Sequence, residues 1–537
     1  MQQVQSMKTV VLLLTSLLTI SCTSSNNAPT NYMDIGGVEA FQKPIDYIPS
    51  ALGPHTWLVT TQSQEAQDFF KQGLQLRYAY VVNDAARSFR QATLADPQCA
   101  MCYWGEAFAL GSFLNGAMSK MRSAHAHIAI EKAVALASTV TEVERDLIMA
   151  ARDRYPADYD PASRRPVDEG FAERMKTVYA KYPGHQEVAV IYAVALFLLE
   201  ERRGERDIAD PNVKRLHGVL TGVLNDNIKH PGACHLYSHA TESSQRPGLA
   251  LACVDYLSDA IPIASHIQHM PSHTWNEVGY WGRSVAANTK AIRSDQMAKQ
   301  NQGFSYGPSH NLHMLVFAAS MDGQSAVAIQ AGKDFAKLTG NNMYHALTLL
   351  RFGRFDEIAA VKPRPSADIP GSYWDFAQGY AALRNGDNAS ANRYLAKLKK
   401  TAAESTARFR FHKADQMVGL SVAILEGEVL LQQGDIGGAI ESFRRAAELD
   451  DQQQYDEPEP IPYAARHWLG AALMTAEQYA AAEREYRTEL ADHPHNVWSL
   501  QGLAAALAAQ GITDLSVEKD LQESTARMDF WMVESRY

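Results

Sequence analysis

The sequence predicts an all-α protein, an α-solenoid of antiparallel helix hairpins that forms a superhelix with a concave groove. Two observations lead to this prediction. Ala-rich helical periodicity runs through most of the 537 residues, and β-type alternation is scarce. A fixed pattern of small and aromatic residues also recurs along the chain. Hydrophobic residues make up 46% of the chain, which is enough for a large core.

The recurring pattern places a glycine, an alanine and an aromatic residue at fixed offsets. Three sets of residues share this spacing: Gly73, Ala85, Phe89, Ala92 and Pro97; Gly427, Ala439, Phe443 and Ala446; Gly470, Ala482, Tyr486 and Pro494. The offsets resemble those of the tetratricopeptide repeat (TPR) family, a helix–turn–helix of about 34 residues. In such a repeat the small residues let two helices approach, the aromatic ring fills the space between hairpins, and proline ends the second helix.

A Pro-rich segment, 362–370, is the clearest linker in the chain. It divides the array into an N-terminal TPR-like block, 56–361, and a C-terminal TPR block, 371–537. Residues 452–460 form an inserted loop between two well-matched C-terminal repeats.

The first 21 residues have the charged start and short apolar run of a secretory signal peptide. Cys22 follows directly and resembles the lipidated cysteine of a bacterial lipoprotein, although Thr19 stands where that pattern prefers leucine. The resemblance implies cleavage before Cys22 and a lipid anchor on it, with 22–55 as an N-terminal tether. Because no Asp follows Cys22, the analogy favours the outer membrane of a bacterial envelope, with the protein facing the periplasm.

The charge balance argues against a nucleic-acid partner. The chain carries 50 Lys and Arg against 60 Asp and Glu, a net charge of −10, and no basic stripe is apparent. We therefore expect no nucleic acid, and contact with a membrane only through the lipid anchor.

The histidines fall into the register of the repeats. Each repeat is counted from its turn residue, which is placed at position 15: Gln245, Gly279 and Gly323. Three repeat positions then collect seven histidines: His266 and His310 at position 2; His235, His269 and His313 at position 5; His239 and His273 at position 9. In the TPR family these positions of the first helix line the concave groove, so the seven side chains are predicted to share it.

This spacing suits a metal site. Residues three or four apart lie on one helix face, so a pair such as His235 and His239 can chelate one ion. Neutral imidazole suits transition metals, zinc or copper above all, and rings from adjacent helices could meet at one ion. Glu242, Glu277, Tyr237 and Asn311 are available as a fourth ligand, a ligand-orienting group or a base.

Two prolines affect this geometry. Pro271 and Pro308 are each predicted at the first turn of a helix, where the missing N–H is tolerated. His266 and His269 are then expected in the loop before the helix.

The histidine motifs resemble those of a group of exported bacterial TPR proteins. The matching stretches are His-Pro-Gly-x-x-His at 230–235, His-Met-Pro-Ser-His at 269–273 and His-Asn-x-His at 310–313. The resemblance covers roughly 64–355 and implies a shared groove function, to which no firm activity is attached.

Cysteines and aromatic residues complete the set of candidates. Cys99 and Cys102 form a C-x-x-C that is either a structural pair or a redox or metal site. Cys234 and Cys253 are predicted to lie on the two helices of one hairpin, where they could form a disulfide unless Cys234 is a metal ligand. Further residues could wall a ligand pocket or pack between helices: Trp104, Tyr237, Trp275, Tyr306 and Asn311.

Three functions remain open at this point. The first is an envelope-anchored TPR scaffold or carrier whose groove binds a transition metal. The second is a metal-dependent enzyme that uses the same histidines, with Glu277 or Glu242 as the base. The third is a metal-free TPR adaptor for a peptide or protein partner.

Overall fold

The computed structural model describes residues 37–200 and 204–537. Within these ranges the chain forms a succession of helix hairpins. The one exception is a two-stranded β-hairpin, β1 (Arg408–Phe409) paired with β2 (His412–Lys413). Consecutive helices pack against each other along the chain. The predicted all-α, TPR-like solenoid is therefore confirmed.

The helices of the first half of the chain are α1 (Glu39–Gln42), α2 (Gln64–Tyr78), α3 (Val82–Ala95), α4 (Ala100–Leu110), α5 (Lys120–Ala135), α6 (Glu142–Arg152), α7 (Arg164–Lys181), α8 (Gln186–Phe197), α9 (Pro211–Asp226), α10 (Pro231–Thr241), α11 (Leu251–Ala260), α12 (Ser265–His269) and α13 (Pro271–Glu277). Those of the second half are α14 (Trp281–Ala298), α15 (Pro308–Met321), α16 (Ser325–Thr339), α17 (Met343–Arg351), α18 (Phe355–Ile358), α19 (Asp368–Arg384), α20 (Asn388–Glu404), α21 (Ala414–Gln432), α22 (Ile436–Asp451), α23 (Arg466–Thr475), α24 (Tyr479–Asp492), α25 (Val497–Ala509) and α26 (Leu515–Thr525).

Aromatic rings seated on glycines hold neighbouring repeats together. Tyr486 is 1% exposed and lies between Gly470 and Gly502. A Cβ atom added to either glycine would stand 2.4 Å or 2.2 Å from the tyrosine ring. Phe443 is fully buried and approaches Gly427 in the same way. The repeat spacing thus reports a steric requirement, since any side chain at these glycines would displace the ring.

The turn inside a repeat adopts the left-handed conformation. Glycine fills this position in several repeats, for example Gly279, Gly323 and Gly434, with φ of 74°, 74° and 82°. Tyr80 occupies the equivalent turn between α2 and α3 with φ of 57°. A bulky residue is unfavourable there, so its presence indicates a compensating contact.

The C-terminal repeats pack back onto the central ones. The Trp281 indole donates to the Pro494 carbonyl at 2.8 Å, and the Trp498 indole donates to the Ser320 carbonyl at 2.8 Å. Arg527 forms an ion pair with Asp322 at 2.6 Å. These contacts fold the solenoid onto itself, and the inner face of the central repeats is covered.

The apolar interior divides at a different place from the Pro-rich segment. One hydrophobic core extends from Phe41 to Tyr306 and a second from Trp281 to Met532, so the two meet near α14. Segment 362–370 runs into α19 inside the second core, where Arg364 pairs with Asp375 at 2.8 Å. The linker position is therefore a tight connection between neighbouring helices.

The N-terminal tether is described only from residue 37 onward. Within 37–55, Phe41 is 2% exposed and the Gly53 amide donates to the Gln75 side chain at 2.8 Å. This part packs against the first hairpin. The predicted signal peptide, 1–21, and the lipidation site Cys22 lie outside the described residues.

Both cysteine pairs are disulfides, Cys99 with Cys102 and Cys234 with Cys253. The alternative in which Cys234 is a metal ligand is thereby excluded in this structure, because a disulfide sulfur is no thiolate. No described helix combines the length and apolar character needed to cross a membrane.

Candidate metal centre

Six of the seven predicted histidines come together in one buried cluster. His235 and His239 lie on α10, His266 and His269 on α12, His273 on α13 and His310 on α15. Neighbouring rings in this set have centroids 4.7–6.4 Å apart. We call these six residues the histidine cluster.

The prolines stand where the sequence places them, at the first residue of α13 and α15. The expectation that His266 and His269 lie in a loop is wrong, since both are in the short helix α12. Helix α12 ends just before Pro271 and α13 begins at it, so the chain remains nearly helical across the junction.

The cluster divides into two groups of three: His235, His239 and His266; His269, His273 and His310. Within each group one ring nitrogen per residue lies within 4.8 Å of the others. The Nε2 atoms of His235 and His266 are 3.1 Å apart, and those of His269 and His273 are 3.3 Å apart. Two nitrogens bound to one tetrahedral ion at 2.0–2.1 Å would stand about 3.3 Å apart.

Hydrogen bonds at the opposite nitrogen fix three of the rings. His235 Nδ1 donates to the Tyr78 carbonyl at 2.5 Å. His239 Nδ1 and His273 Nδ1 donate to the two oxygens of Glu242, at 2.9 Å and 2.8 Å. With the proton held on Nδ1, the Nε2 lone pair is directed into the cluster, the arrangement typical of metal-ligating histidines.

Burial keeps the rings neutral. Desolvation, reinforced by the neighbouring imidazoles, holds the pKa of four of them well below the usual value. These are His235, His266, His269 and His310. A neutral imidazole is the form that binds a metal.

Tyr80 forms one wall of the cluster. Its ring centroid lies 4.3 Å from that of His235 and 5.3 Å from that of His266, and it stacks nearly parallel to His239 at 6.0 Å. These contacts offset the unfavourable left-handed backbone of Tyr80. Tyr306 closes another side, 4.5 Å from His266.

Carboxylates face the cluster from two directions. Glu242 is buried. Desolvation and the charge of Glu457 act to raise the pKa of Glu242, but the adjacent imidazoles hold this pKa below its usual value. Glu457 comes from the inserted loop, 452–460, and its carboxylate lies 3.8 Å from His273 Nδ1. Sequence analysis missed Glu457, and the acidic character of the insertion is the only signal that could have indicated it.

The seventh histidine, His313, lies apart from the cluster. The Arg410 guanidinium donates to its Nδ1 at 2.8 Å, and its Nε2 contacts the Tyr344 hydroxyl at 2.6 Å. Burial lowers the pKa of His313 to about 4. Both ring nitrogens are therefore used in hydrogen bonds that join α15 to the region beside the β-hairpin.

Of the predicted pocket residues, only Tyr306 reaches the cluster. The other four contact neighbours elsewhere: Trp104 packs on Phe108, Tyr237 on His217, Trp275 under Arg283, and Asn311 donates to Asp295. Of the two predicted bases, Glu242 uses both oxygens to position imidazoles, and Glu277 lies in an adjacent acidic cavity.

A smaller polar group supports the cluster from behind. Glu187 contacts His55 at 2.8 Å, His230 at 3.4 Å and the Tyr78 hydroxyl. Because the Tyr78 carbonyl accepts the hydrogen bond from His235 Nδ1, this group fixes the residue that orients a cluster ring. His230 belongs to the first histidine motif, but the spacing of that motif does not predict the contact of His230 with Glu187.

No family model and no curated protein sequence matches the chain. Solved structures with a distant likeness exist. The Cut9–Hcn1 hetero-tetramer of the APC/C is 14% identical over 87% of this chain and 74% of that one, with a TM-score of 0.28. A human IFIT1 dimer with m7Gppp-AAAA is 10% identical over 85% and 94%, with a TM-score of 0.31. The TPR domain of P58(IPK) is 11% identical over 86% and 98%, with a TM-score of 0.22. Likeness at this level carries no argument about function.

Proposed function

We propose that the histidine cluster binds two transition-metal ions, zinc or copper, one in each group of three histidines. The protein then serves as an envelope-anchored metal-binding scaffold or metal carrier. The observation that carries this proposal is the pairing of ring nitrogens at 3.1 Å and 3.3 Å, with the opposite nitrogens of His235 and His273 held as donors.

A purely hydrogen-bonded core explains the cluster less well. In such a core each ring nitrogen would meet a carbonyl, hydroxyl, guanidinium or carboxylate group, as happens at His313. In the cluster, nitrogen faces nitrogen in two separate pairs. One N–H···N hydrogen bond, which a tautomer with its proton on Nε2 permits, joins the two rings of a pair, but it does not account for the third ring of each group. An ion can bind all three.

A peptide adaptor that uses these histidines is also disfavoured. His239 and His269 are fully buried, and His310, the most exposed of the six, is 9% exposed. A peptide on the surface of the solenoid could not contact them, whereas a single ion is small enough to occupy the interior of the cluster.

A metal-dependent enzyme is the second candidate, favoured by the cavity of about 560 Å³ that Glu242 shares with the cluster. The two proposed bases fit this function poorly. Glu242 accepts hydrogen bonds from two imidazoles, and burial raises the pKa of Glu277 well above its usual value. Glu242 is therefore occupied in positioning imidazoles, and Glu277 forms no hydrogen bond to a cluster histidine among the described residues, so the carrier or scaffold is the function better supported.

Elemental analysis of the protein, prepared without a histidine tag and dialysed against zinc or copper, tests the proposal. We expect close to two ions per chain in the unaltered protein and about one in His273→Ala, because that change removes a ligand from one group only. His345→Ala, a half-buried histidine on α17 outside the cluster, is the matched control and should retain two. Equal metal content in the two variants, or no bound metal in the unaltered protein, would overturn the proposal.

We also propose that Cys22 anchors the protein in the bacterial envelope, facing the periplasm. The sequence pattern before Cys22 supports this. Cys22→Ala should release the protein from the membrane fraction, and an unacylated Cys22 at the mature N-terminus would exclude a lipid anchor.

A further inference from the structure

A cavity of about 560 Å³ lies beside the histidine cluster, between α13 of the central repeats and the loop and helices of the C-terminal repeats. Carboxylates make up much of its wall, among them Glu242, Glu277, Asp451, Glu459, Glu489 and Asp492. Its volume falls within the 300–1,000 Å³ typical of small-molecule sites. We call this space the acidic cavity.

Among the described residues, the two basic side chains that line the acidic cavity are already paired. Arg466 bonds to Asp451 and approaches Glu485 at 3.3 Å. His493 donates one ring nitrogen to Glu489 at 2.7 Å and the other to Glu459 at 3.0 Å. Neither cation is available to compensate Glu277.

Glu277 lines the cavity and is not paired with either of these side chains. Among the described residues it forms no hydrogen bond or ion pair, and burial raises its pKa well above the usual value despite the opposing charge of His493. The adjacent Asn276 is 6% exposed and lines the same space, and its Oδ1 has no hydrogen-bond partner. A buried acceptor of this kind calls for a donor from a ligand.

The wall of the cavity is also partly aromatic. Trp281 and Phe317 line the cavity, with ring centroids 6.2 Å and 5.9 Å from that of His493. Carboxylates and amide oxygens beside aromatic rings suit a ligand with an N–H-bearing positive charge and an apolar chain.

A metal ion fits this cavity less well than an organic cation. The group formed by Glu459, Asp492 and His493 has metal-like spacing. Although burial opposes it, the carboxylates of Glu459 and Glu489 hold the pKa of His493 well above its usual value. A histidine that donates from both nitrogens has no lone pair for a metal.

We propose that the acidic cavity binds an organic amine, an alkylammonium or short polyamine, with an ammonium group at Glu277 and the Asn276 amide oxygen. The alkyl chain lies against Trp281 and Phe317. This site is distinct from the histidine cluster, and its occupancy does not depend on bound metal, although a ligand in it would reach the wall formed by Glu242.

Calorimetric titration of the tag-free protein with spermidine tests the proposal, with metal-loaded and EDTA-treated protein in parallel. We expect saturable binding in both. Glu277→Gln should weaken binding at least tenfold, because it removes the charge while keeping the side-chain shape. Glu441→Gln on the outer face of α22, with a side chain 69% exposed, is the matched control and should bind as the unaltered protein does.

Circular dichroism melting establishes that the variants are folded. If Glu277→Gln does not fold, Asn276→Ser replaces it and should weaken binding several-fold. Absence of spermidine binding, or equal binding by Glu277→Gln and Glu441→Gln, would overturn the proposal. Glu277-dependent binding of Mg²⁺ or Zn²⁺ in place of spermidine would assign the cavity to a metal and also overturn it. Failure of the metal proposal would appear in elemental analysis and leave this titration unaffected.

Discussion

The C-terminal repeats and the central repeats build the same helix hairpins around opposite kinds of interior. In the C-terminal repeats, Phe443 and Tyr486 fill the space between helices, each seated on glycine. In the central repeats, the inner face carries six buried imidazoles and the carboxylate of Glu242. Apolar packing stabilises the first region by itself, whereas buried polar groups are unfavourable unless they are bonded or ligated. The proposed metal ions would ligate these buried polar groups.

Truncating an aromatic ring in the C-terminal repeats should have the largest effect on stability. Phe443→Ala leaves a cavity against Gly427, and we expect the free energy of unfolding to fall by about 3–5 kcal/mol. Denaturant unfolding measures this, with Leu515→Ala, 75% exposed, as a control that should be nearly neutral. Metal content should stay unchanged, so a loss of metal in Phe443→Ala would show that the two regions are not independent.

Lowering the pH should destabilise the central repeats. Because the folded-state pKa of four cluster histidines is lowered, the unfolded chain binds more protons below its histidine pKa of about 6.5. The contribution of these four histidines should be constant near pH 7 and fall below about 6.5, by about 1.4 kcal/mol per pH unit for each proton taken up.

Other groups oppose this fall or act at other pH values. Because burial raises the pKa of Glu106 to about 7, its contribution to stability increases as the pH falls from 7 toward about 4.3. The pKa of Glu187 is lowered, so its contribution is lost only below about pH 4.3, while the raised pKa of His493 gives a contribution that is lost as the pH rises above about 6.5. Unfolding of EDTA-treated protein between pH 7.5 and 5.5 measures the effect. Bound zinc should steepen the fall, because ligation requires neutral imidazole. An equally steep fall in His269→Ala and in the unaltered protein would refute the neutral, buried cluster, because that variant lacks one of the histidines with a lowered pKa.

Substitution of Tyr80 should give the smallest of these changes in the free energy of unfolding. It tests the backbone strain at position 80. A left-handed conformation costs a non-glycine residue about 1–2 kcal/mol, so Tyr80→Gly should be more stable than Tyr80→Ala by about 1 kcal/mol. At Ala92, inside helix α3, the order should reverse, with Ala92→Gly destabilising by about 0.5–1 kcal/mol. If Tyr80→Ala were the more stable variant, the backbone at position 80 would not be strained, and the contacts of Tyr80 with the histidines would have no strain to offset.

The sequence predicts local features of this molecule well. Spacing identified the burial of Phe89, Phe443 and Tyr486, because each residue reports packing within a short stretch of chain. The repeat register likewise predicted which helix face carries His235 and His239. Because the repeat spacing relates residues that are close in sequence, it predicts contacts between neighbouring helices.

Contacts between distant segments could not be predicted in the same way. Glu457 reaches His273 only because the C-terminal repeats fold back onto the central ones. His313 has the same repeat position as His235, but Arg410 and Tyr344 from distant segments bind both of its nitrogens. Neither outcome follows from spacing, since both depend on how the ends of the solenoid meet.

X-ray absorption at the zinc edge of the zinc-loaded protein tests the central claim most directly. We expect about three imidazole nitrogens per ion at 2.0–2.1 Å, with the outer-shell scattering of histidine rings and no sulfur at 2.3 Å, since the four cysteines of the described chain are in disulfides. His273→Ala should lower the zinc content while the remaining ion keeps its histidine shell. A first shell without imidazole scattering, or one that contains sulfur, would contradict metal binding by the histidine cluster.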